Sequence, residues 1–206
     1  MNSNNFISVI GNIGSGKSTL IKYLNSQITA TIFYENPKNY IFLEDSFKYP
    51  KRWSFHNQLD FLIVKYTEIM DCNPVNKTII QEMDFEATHK IWTPVLRELN
   101  YISKKEELLL NNIYNVISNN IFEKKNIKYL YIKTPYQINI DRVFKRDRSF
   151  EDINKMKELI SILNFKLDDF FKKNDFFLFD NSYKTFDLAL IKNKNILFNI
   201  LKGINH

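Results

Sequence analysis

Gly11-Asn12-Ile13-Gly14-Ser15-Gly16-Lys17-Ser18 is the stretch whose reading decides the fold. The run Phe6-Ile7-Ser8-Val9-Ile10 leads directly into it and reads as a buried strand, while Leu20, Ile21 and Leu24 behind it recur at helical spacing. Strand, glycine-rich loop and helix in that order build a phosphate-binding loop. The glycines let the chain curl so that backbone N–H groups face phosphate oxygens, Lys17 brings a positive charge to the β/γ-phosphates, and Ser18 offers a hydroxyl to Mg²⁺. A helix opening at Lys17 adds the positive end of its dipole. Three of the four glycines in the chain fall in this octapeptide, which argues against a chance match.

Outward from the loop, short β-branched or aromatic runs at 6–10, 31–34, 78–80, 127–132 and 176–179 predict strands buried on both faces. Helices are expected at 17–28, 53–71, 84–99, 104–122, 136–147, 150–173 and 184–202. In the sixth of these, Ile153, Met156, Ile160, Leu163, Leu167 and Phe170 alternate spacings of three and four, and Ser149-Phe150-Glu151-Asp152 reads as its capping box. Strands alternating with helices predict an α/β fold with a parallel sheet covered on both sides and a ligand at the carboxyl ends of the strands. With 206 residues and neither a repeat nor a Pro/Gly-rich linker, 1–206 is read as a single domain.

A hydrophobic fraction of 44% excludes a disordered chain, and no apolar run approaches the length of a membrane span. The single cysteine, Cys72, cannot form an internal disulfide or build a metal cluster, and the loop begins at residue 11, leaving little room for a leader; the expectation is a cytoplasmic protein. The net charge of +6 comes from lysines scattered among asparagines and isoleucines, so no nucleic-acid surface is expected.

Carboxylates stand at the expected strand ends: Glu35 after the second, Glu82 and Asp84 after the third. Glu35 is a candidate base for a phosphoryl-acceptor hydroxyl, with a turn cap ahead of Pro37 as the bland reading. Glu82 reads equally as a Mg²⁺ ligand or a solvated loop carboxylate. Arg142, Arg146 and Arg148 read as a mobile lid over phosphate oxygens at about 142–151, or as a basic helix end.

The set comprising residues 11–18, Glu35-x-Pro37, Pro50-Lys51-Arg52-Trp53 followed by Gln58, Thr134-Pro135 and Arg146-Asp147-Arg148-Ser149-Phe150-Glu151 resembles the deoxyribonucleoside kinase family, in that family's order and over 6–180. The resemblance implies a three-layer P-loop kinase fold on a five-stranded parallel sheet. It also implies transfer of the γ-phosphate of ATP to the 5′-hydroxyl of a deoxyribonucleoside with Mg²⁺, as in nucleotide salvage for DNA precursor synthesis, by a homodimer. By the same resemblance Gly11, Asn12, Ile13, Gly14, Ser15, Gly16, Lys17, Ser18 and Thr19 hold ATP phosphates and Arg142 stacks on its adenine, while Arg146 and Arg148 grip phosphates as catalytic groups beside Lys17. Glu35 is the general base, Gln58 pairs with the nucleobase, Tyr40, Phe61 and Ile91 wall the base pocket, and Glu151 holds the sugar 3′-hydroxyl; from the residues' own chemistry rather than the resemblance, Ser18 with Glu82 is expected to receive the metal. Ala87 falls where the family tunes pocket size.

Two positions depart from the family's pattern. An acidic residue, Arg and Ser are expected after the third strand; the chain reads Gln81-Glu82-Met83, with Glu82 aligned to the arginine and no arginine between Arg52 and Arg97. Phe47 stands where a tyrosine helps bind the 3′-hydroxyl. A nucleotide-binding relative without turnover, or a nucleoside monophosphate kinase using Arg52 and Lys65, are the alternative readings.

Overall fold

The computed structural model describes residues 5–70, 78–121, 127–146 and 148–202. Cys72, Asp147 and the helix ends expected at 71, 122 and 147 lie outside them. The strands β1 (Asn5–Gly11), β2 (Thr31–Phe33), β3 (Thr78–Glu82), β4 (Ile127–Lys133) and β5 (Phe176–Asp180) form a five-stranded sheet in the order β2-β3-β1-β4-β5, parallel throughout. The order reverses beside β1, so the crevice at the carboxyl ends opens where the glycine-rich loop leaves the sheet.

Alternation along the strands divides the core between two faces. Ile7, Val9, Leu130 and Ile132 pack with α1 (Lys17–Gln27) and the C-terminal helices; Ile10, Tyr129 and Tyr131 pack with α7 (Tyr136–Arg146) and α8 (Ile153–Phe171). Phe6 and Ile79 belong with α3 (Pro50–Met70) and α6 (Lys104–Ile121). Each such aliphatic or aromatic side chain removed from water contributes about 1.5–3 kcal/mol. The expected stripe on α8 is buried from Met156 to Phe170, but Asp152 is the cap, its carboxylate accepting from the N–H groups of Asn154 and Lys155; the box expected at Ser149 is not formed.

Three expectations about helices change. A short helix α2 (Leu43–Lys48) precedes α3, which begins at Pro50 because proline's missing N–H costs nothing in a first turn. The helix expected at 84–99 is broken into α4 (Phe85–Ala87), a π-turn over Thr88–Trp92 and α5 (Thr93–Glu98). The last helix splits at Asn193 into α9 (Phe186–Lys192) and α10 (Lys194–Lys202).

Asn193 interrupts that helix because its amide serves the sheet. Its Nδ2 donates to the carbonyls of Asp180 and Ala189, both at 2.8 Å, and its Oδ1 accepts the N–H of Asp180 at 2.9 Å, closing the end of β5. Asn193→Ala would remove the side-chain partners of the Asp180 N–H and carbonyl, while the Ala189 carbonyl keeps the backbone N–H of residue 193, and should lower unfolding stability by about 1–3 kcal/mol in urea titration; an unchanged midpoint would show that the amide does not hold β5.

Candidate active site

The phosphate-binding loop joins β1 to α1, with Gly14 (φ 75°) and Gly16 (φ 98°) in left-handed backbone that L side chains rarely adopt. A ring of groups fixes it from outside. The carbonyl of Ser15 accepts from Asn181 Nδ2 (2.7 Å), Arg142 Nη1 (3.1 Å) and Thr134 Oγ1 (3.2 Å). In a trans peptide the following N–H points opposite to its carbonyl, so drawing the Ser15 oxygen outward turns the Gly16 N–H toward the phosphate side. Asn12 anchors the loop's other limb through Nδ2 to Ile160 O (2.8 Å) and Asn164 Oδ1 (2.7 Å). Lys17 lies across the loop, its ammonium 3.2 Å from Gly11 O and 3.3 Å from Asn12 O.

At the head of β3 the chemistry becomes acidic. Glu82 is the last strand residue rather than a loop residue, and its register beside Val9 of β1 carries its carboxylate to the loop. Ser18 Oγ donates to Glu82 Oε2 at 2.9 Å, and Lys17 Nζ stands 3.9 Å from Oε1. A hydroxyl and a carboxylate oxygen in contact suit Mg²⁺, which takes one or two protein oxygens and otherwise water and phosphate. Among the described residues no cluster of three or more His, Cys, Asp or Glu offers a fuller cage. Glu35 reaches the same place from β2, its N–H donating to Glu82 Oε2 at 3.4 Å. Burial holds the Glu35 carboxyl above the ordinary glutamate range, against the pull of Lys65 and Lys17 and with the repulsion of Glu82 and Glu68. Asp84 does not join them. It is fully buried, caps α4 by accepting Ala87 N–H at 2.7 Å, and has its carboxyl pushed up to about 7 by burial.

From these groups a cavity of about 340 Å³ extends to an aromatic end. Ser54, Asn57, Gln58 and Phe61 line it at helical spacing from α3, so one stripe of that helix forms a wall. Tyr40 stacks on Phe61 with ring centroids 3.7 Å apart, and Phe47 meets Phe150 at 5.5 Å. The Tyr40 hydroxyl and Asn57 Oδ1 are buried on this wall without a hydrogen-bond partner among the described residues, as expected of polar atoms that a ligand completes. The expectation for Ile91 is not met: it is fully buried in the core beside Ala87, neither lines the cavity, and Trp92 lines it instead. The π-turn is the cause, because its wider winding shifts which residue faces the cleft, and no periodicity announces it.

The lid side closes the far wall. Arg146 Nε and Arg148 Nη1 donate to the Glu151 carboxylate at 3.0 and 3.4 Å, so the residues expected to grip phosphates and sugar are bound to one another, with all three on the cavity. Arg142 is held against the loop carbonyls of Gly14 and Ser15, and burial lowers its guanidinium below its usual range. Ser18 and Thr19 line the cavity with the rest of the loop from Ile13. The supporting ring of Asn164, Asn181 and Thr134 went unread apart from the Thr134-Pro135 pair; isolated asparagines carry no sequence signal of distant contacts.

A family model described as deoxynucleoside kinase matches residues 7–191. The chain belongs to the deoxynucleoside kinase family. It is 25% identical over 164 residues to a deoxyguanosine kinase of Bacillus subtilis, covering 78% of this chain and 77% of that one. It is 29% identical over 175 residues to a probable deoxycytidine kinase of fowlpox virus, covering 82% and 72%. The structure of a deoxyadenosine kinase from M. mycoides with bound dCTP superposes with a TM-score of 0.75 at 22% identity, over 97% of this chain and 98% of that one, which supports the fold. This deoxynucleoside kinase therefore phosphorylates deoxynucleosides, with ATP as the donor generic to its family.

The contact of Ser18 with Glu82 makes a direct test. Glu82→Arg removes the acceptor of Ser18 and sets a guanidinium beside Lys17, so turnover should fall by about two powers of ten or more while the melting temperature shows a folded protein. A folded variant as active as the native kinase, or more active, would remove Glu82 from the site.

Proposed function

We propose that Glu35 is the general base that takes the proton of the deoxynucleoside 5′-hydroxyl as that oxygen attacks the γ-phosphorus of ATP. The observation that carries this is the convergence of Glu35, Lys17, Ser18 and Glu82 on one cavity whose other end is the Tyr40–Phe61 stack with Gln58. One O–P bond forms and the bond to the β-phosphate oxygen breaks, so the products are the deoxynucleoside monophosphate and ADP, with the proton passed from Glu35 to solvent. Lys17 and the lid arginines Arg146 and Arg148 stabilise negative charge on the transferred group, and Arg142 holds the loop while facing the adenine of ATP. Mg²⁺, held by Ser18 and Glu82, would neutralise phosphate charge. Gly11, Asn12, Ile13, Gly14, Ser15, Gly16 and Thr19 complete the phosphate cradle, and Phe47 and Glu151 face the sugar.

In this reading the departure after β3 moves by one position. Glu82, placed by its strand beside Ser18, does what the family's acidic residue does, and the buried Met83, in left-handed backbone at φ 51°, stands where the arginine is expected. A cation is nevertheless present. Lys65 of α3 is fully buried, donates to the carbonyl of Glu82 at 2.7 Å, and lies 3.5 Å from the Glu68 carboxylate. It is also the strongest positive influence on Glu35. We assign it the arginine's electrostatic task, as a positioning residue behind the cavity wall. That assignment removes the motive for a relative without turnover. A monophosphate acceptor would need free basic groups near Gln58, but Lys65 is committed and the exposed Arg52 lies over the Trp53 ring at 5.0 Å.

We further propose a homodimer in the cytoplasm, without nucleic-acid partners. Ile63 and Met70 on α3, and Leu109 and Val116 on α6, are exposed seven residues apart, hence on one face of each helix, and the two helices pack together. Among the described residues no helix is long and apolar enough to cross a membrane.

Glu35→Gln preserves shape and removes the proton acceptor. Deoxynucleoside binding should survive while kcat falls by roughly 10²–10⁴-fold, and the acidic limb of the native pH profile, set above the usual glutamate range, should vanish. An unchanged kcat would show that the hydroxyl loses its proton elsewhere.

A further inference from the structure

α2 presents Leu43, Ser46 and Phe47 to the cavity, residues three and four apart and therefore on one face of that helix. None of them brings a free donor. Leu43 and Phe47 carry no polar side-chain atom, and the Ser46 hydroxyl donates to the Leu43 carbonyl at 2.7 Å within its own turn. The half-buried rings of Phe47 and Phe150 meet at 5.5 Å with a 45° tilt, and Phe47 packs on the core that holds Met156 and Leu159 of α8, which also line the cavity. This part of the wall is apolar.

Glu151 is the acid beside it, and its carboxylate is already satisfied. The side chain is 3% exposed; Oε2 accepts from Arg146 Nε at 3.0 Å, while Oε1 accepts from Arg146 Nη2 and, at 3.4 Å, from Arg148 Nη1. Arg146 spends two of its five N–H groups here and keeps three for phosphate. A guanidinium fork on both oxygens neutralises the carboxylate and fixes it before any sugar arrives. A sugar hydroxyl can add a bond to a remaining lone pair, but its loss strands no buried group. Lys155 also borders the cavity and is exposed, so water serves it. Selectivity follows from this: a site rejects an analogue lacking a hydroxyl by about four powers of ten only when its own buried partner is then left unpaired.

We propose that Phe47, together with the arginine-paired Glu151, makes the pocket tolerant of a missing 3′-hydroxyl, so that 2′,3′-dideoxynucleosides are a further substrate class of this kinase. The reacting end is untouched. The 5′-oxygen attacks the γ-phosphorus, its proton passes to Glu35, the bond to the β-phosphate oxygen breaks, and the products are the dideoxynucleoside monophosphate and ADP. This rests on Phe47 and Glu151 facing the sugar, as proposed above.

The test compares deoxyadenosine, deoxycytidine, deoxyguanosine and thymidine, each with its 2′,3′-dideoxy counterpart, by calorimetry and by steady-state kinetics with ATP and Mg²⁺. For the tightest-binding base, the two dissociation constants should differ by less than about ten-fold, and so should the two kcat/KM values, the effect of one ordinary hydrogen bond. Phe47→Tyr, which keeps the ring and adds a hydroxyl in need of a partner, should widen both differences at least about five-fold. Arg146→Met takes the fork away from Glu151 and should widen the binding difference at least about three-fold, because the carboxylate then depends on the sugar hydroxyl. A native difference of about ten-fold or more in either quantity, or failure of every deoxynucleoside to bind, would overturn the proposal. Binding differences unchanged in folded Phe47→Tyr and Arg146→Met would overturn its assignment to these side chains. Native protein that binds both members of a pair within the expected margin but phosphorylates neither would refute the kinase mechanism and leave the pocket's tolerance standing.

Discussion

The bond from Lys65 Nζ to the carbonyl of Glu82 is the contact on which the site depends. A fully buried ammonium is tolerable only when it is hydrogen-bonded and faces opposite charge, and removing its partners would cost several kcal/mol. Here it gathers Glu68 and Glu35 around it and ties the middle of α3 to the last residue of β3. The Glu82 carbonyl it holds immediately precedes Met83, whose left-handed turn ends the strand and whose N–H is secured to Val9 O at 3.1 Å. That geometry carries the Glu82 side chain to Ser18 and the start of α4 away from the cleft. Two lysines, one from the glycine-rich loop and one from the helix behind it, thus balance the carboxylates at the proposed site of phosphate transfer.

The loop itself is stiffened by asymmetry. Its outer surface is crowded with donors from Thr134, Arg142 and Asn181 converging on one carbonyl, while the inner surface is left to the ligand. Pre-set donors of this kind need little reorganisation when charge develops, which is where most of the rate in phosphoryl transfer originates. The aromatic end follows the same logic: α3 supplies a wall of residues one turn apart, and the amide of Gln58 is held by the Thr88 carbonyl.

Local signals made the frame legible. The octapeptide at 11–18, the apolar runs of the five strands and the stripe along α8 each reside in a few consecutive residues, and the structure follows them to within a few positions. What was not legible depends on distant partners. Asn193 splits a helix because β5 needs its amide, and Asp152 rather than Ser149 caps α8. The π-turn ahead of Pro94 exchanges Ile91 for Trp92 at the cavity, since a single extra residue in a turn leaves the apolar pattern intact. Lys65 is the clearest case. The sequence offers it as a basic group for an acceptor phosphate, and only the approach of β3 reveals that it is buried against Glu82.

Steady-state kinetics of Lys65→Met and Lys65→Arg, with melting temperatures to certify folding, test most directly whether that buried cation stands in for the missing arginine. The account predicts that Lys65→Met lowers kcat about 10- to 100-fold while KM for the deoxynucleoside changes less than about three-fold, and that Lys65→Arg recovers most of the loss, as expected for charge acting on the transition state rather than on binding. A folded Lys65→Met variant with native kcat would contradict it.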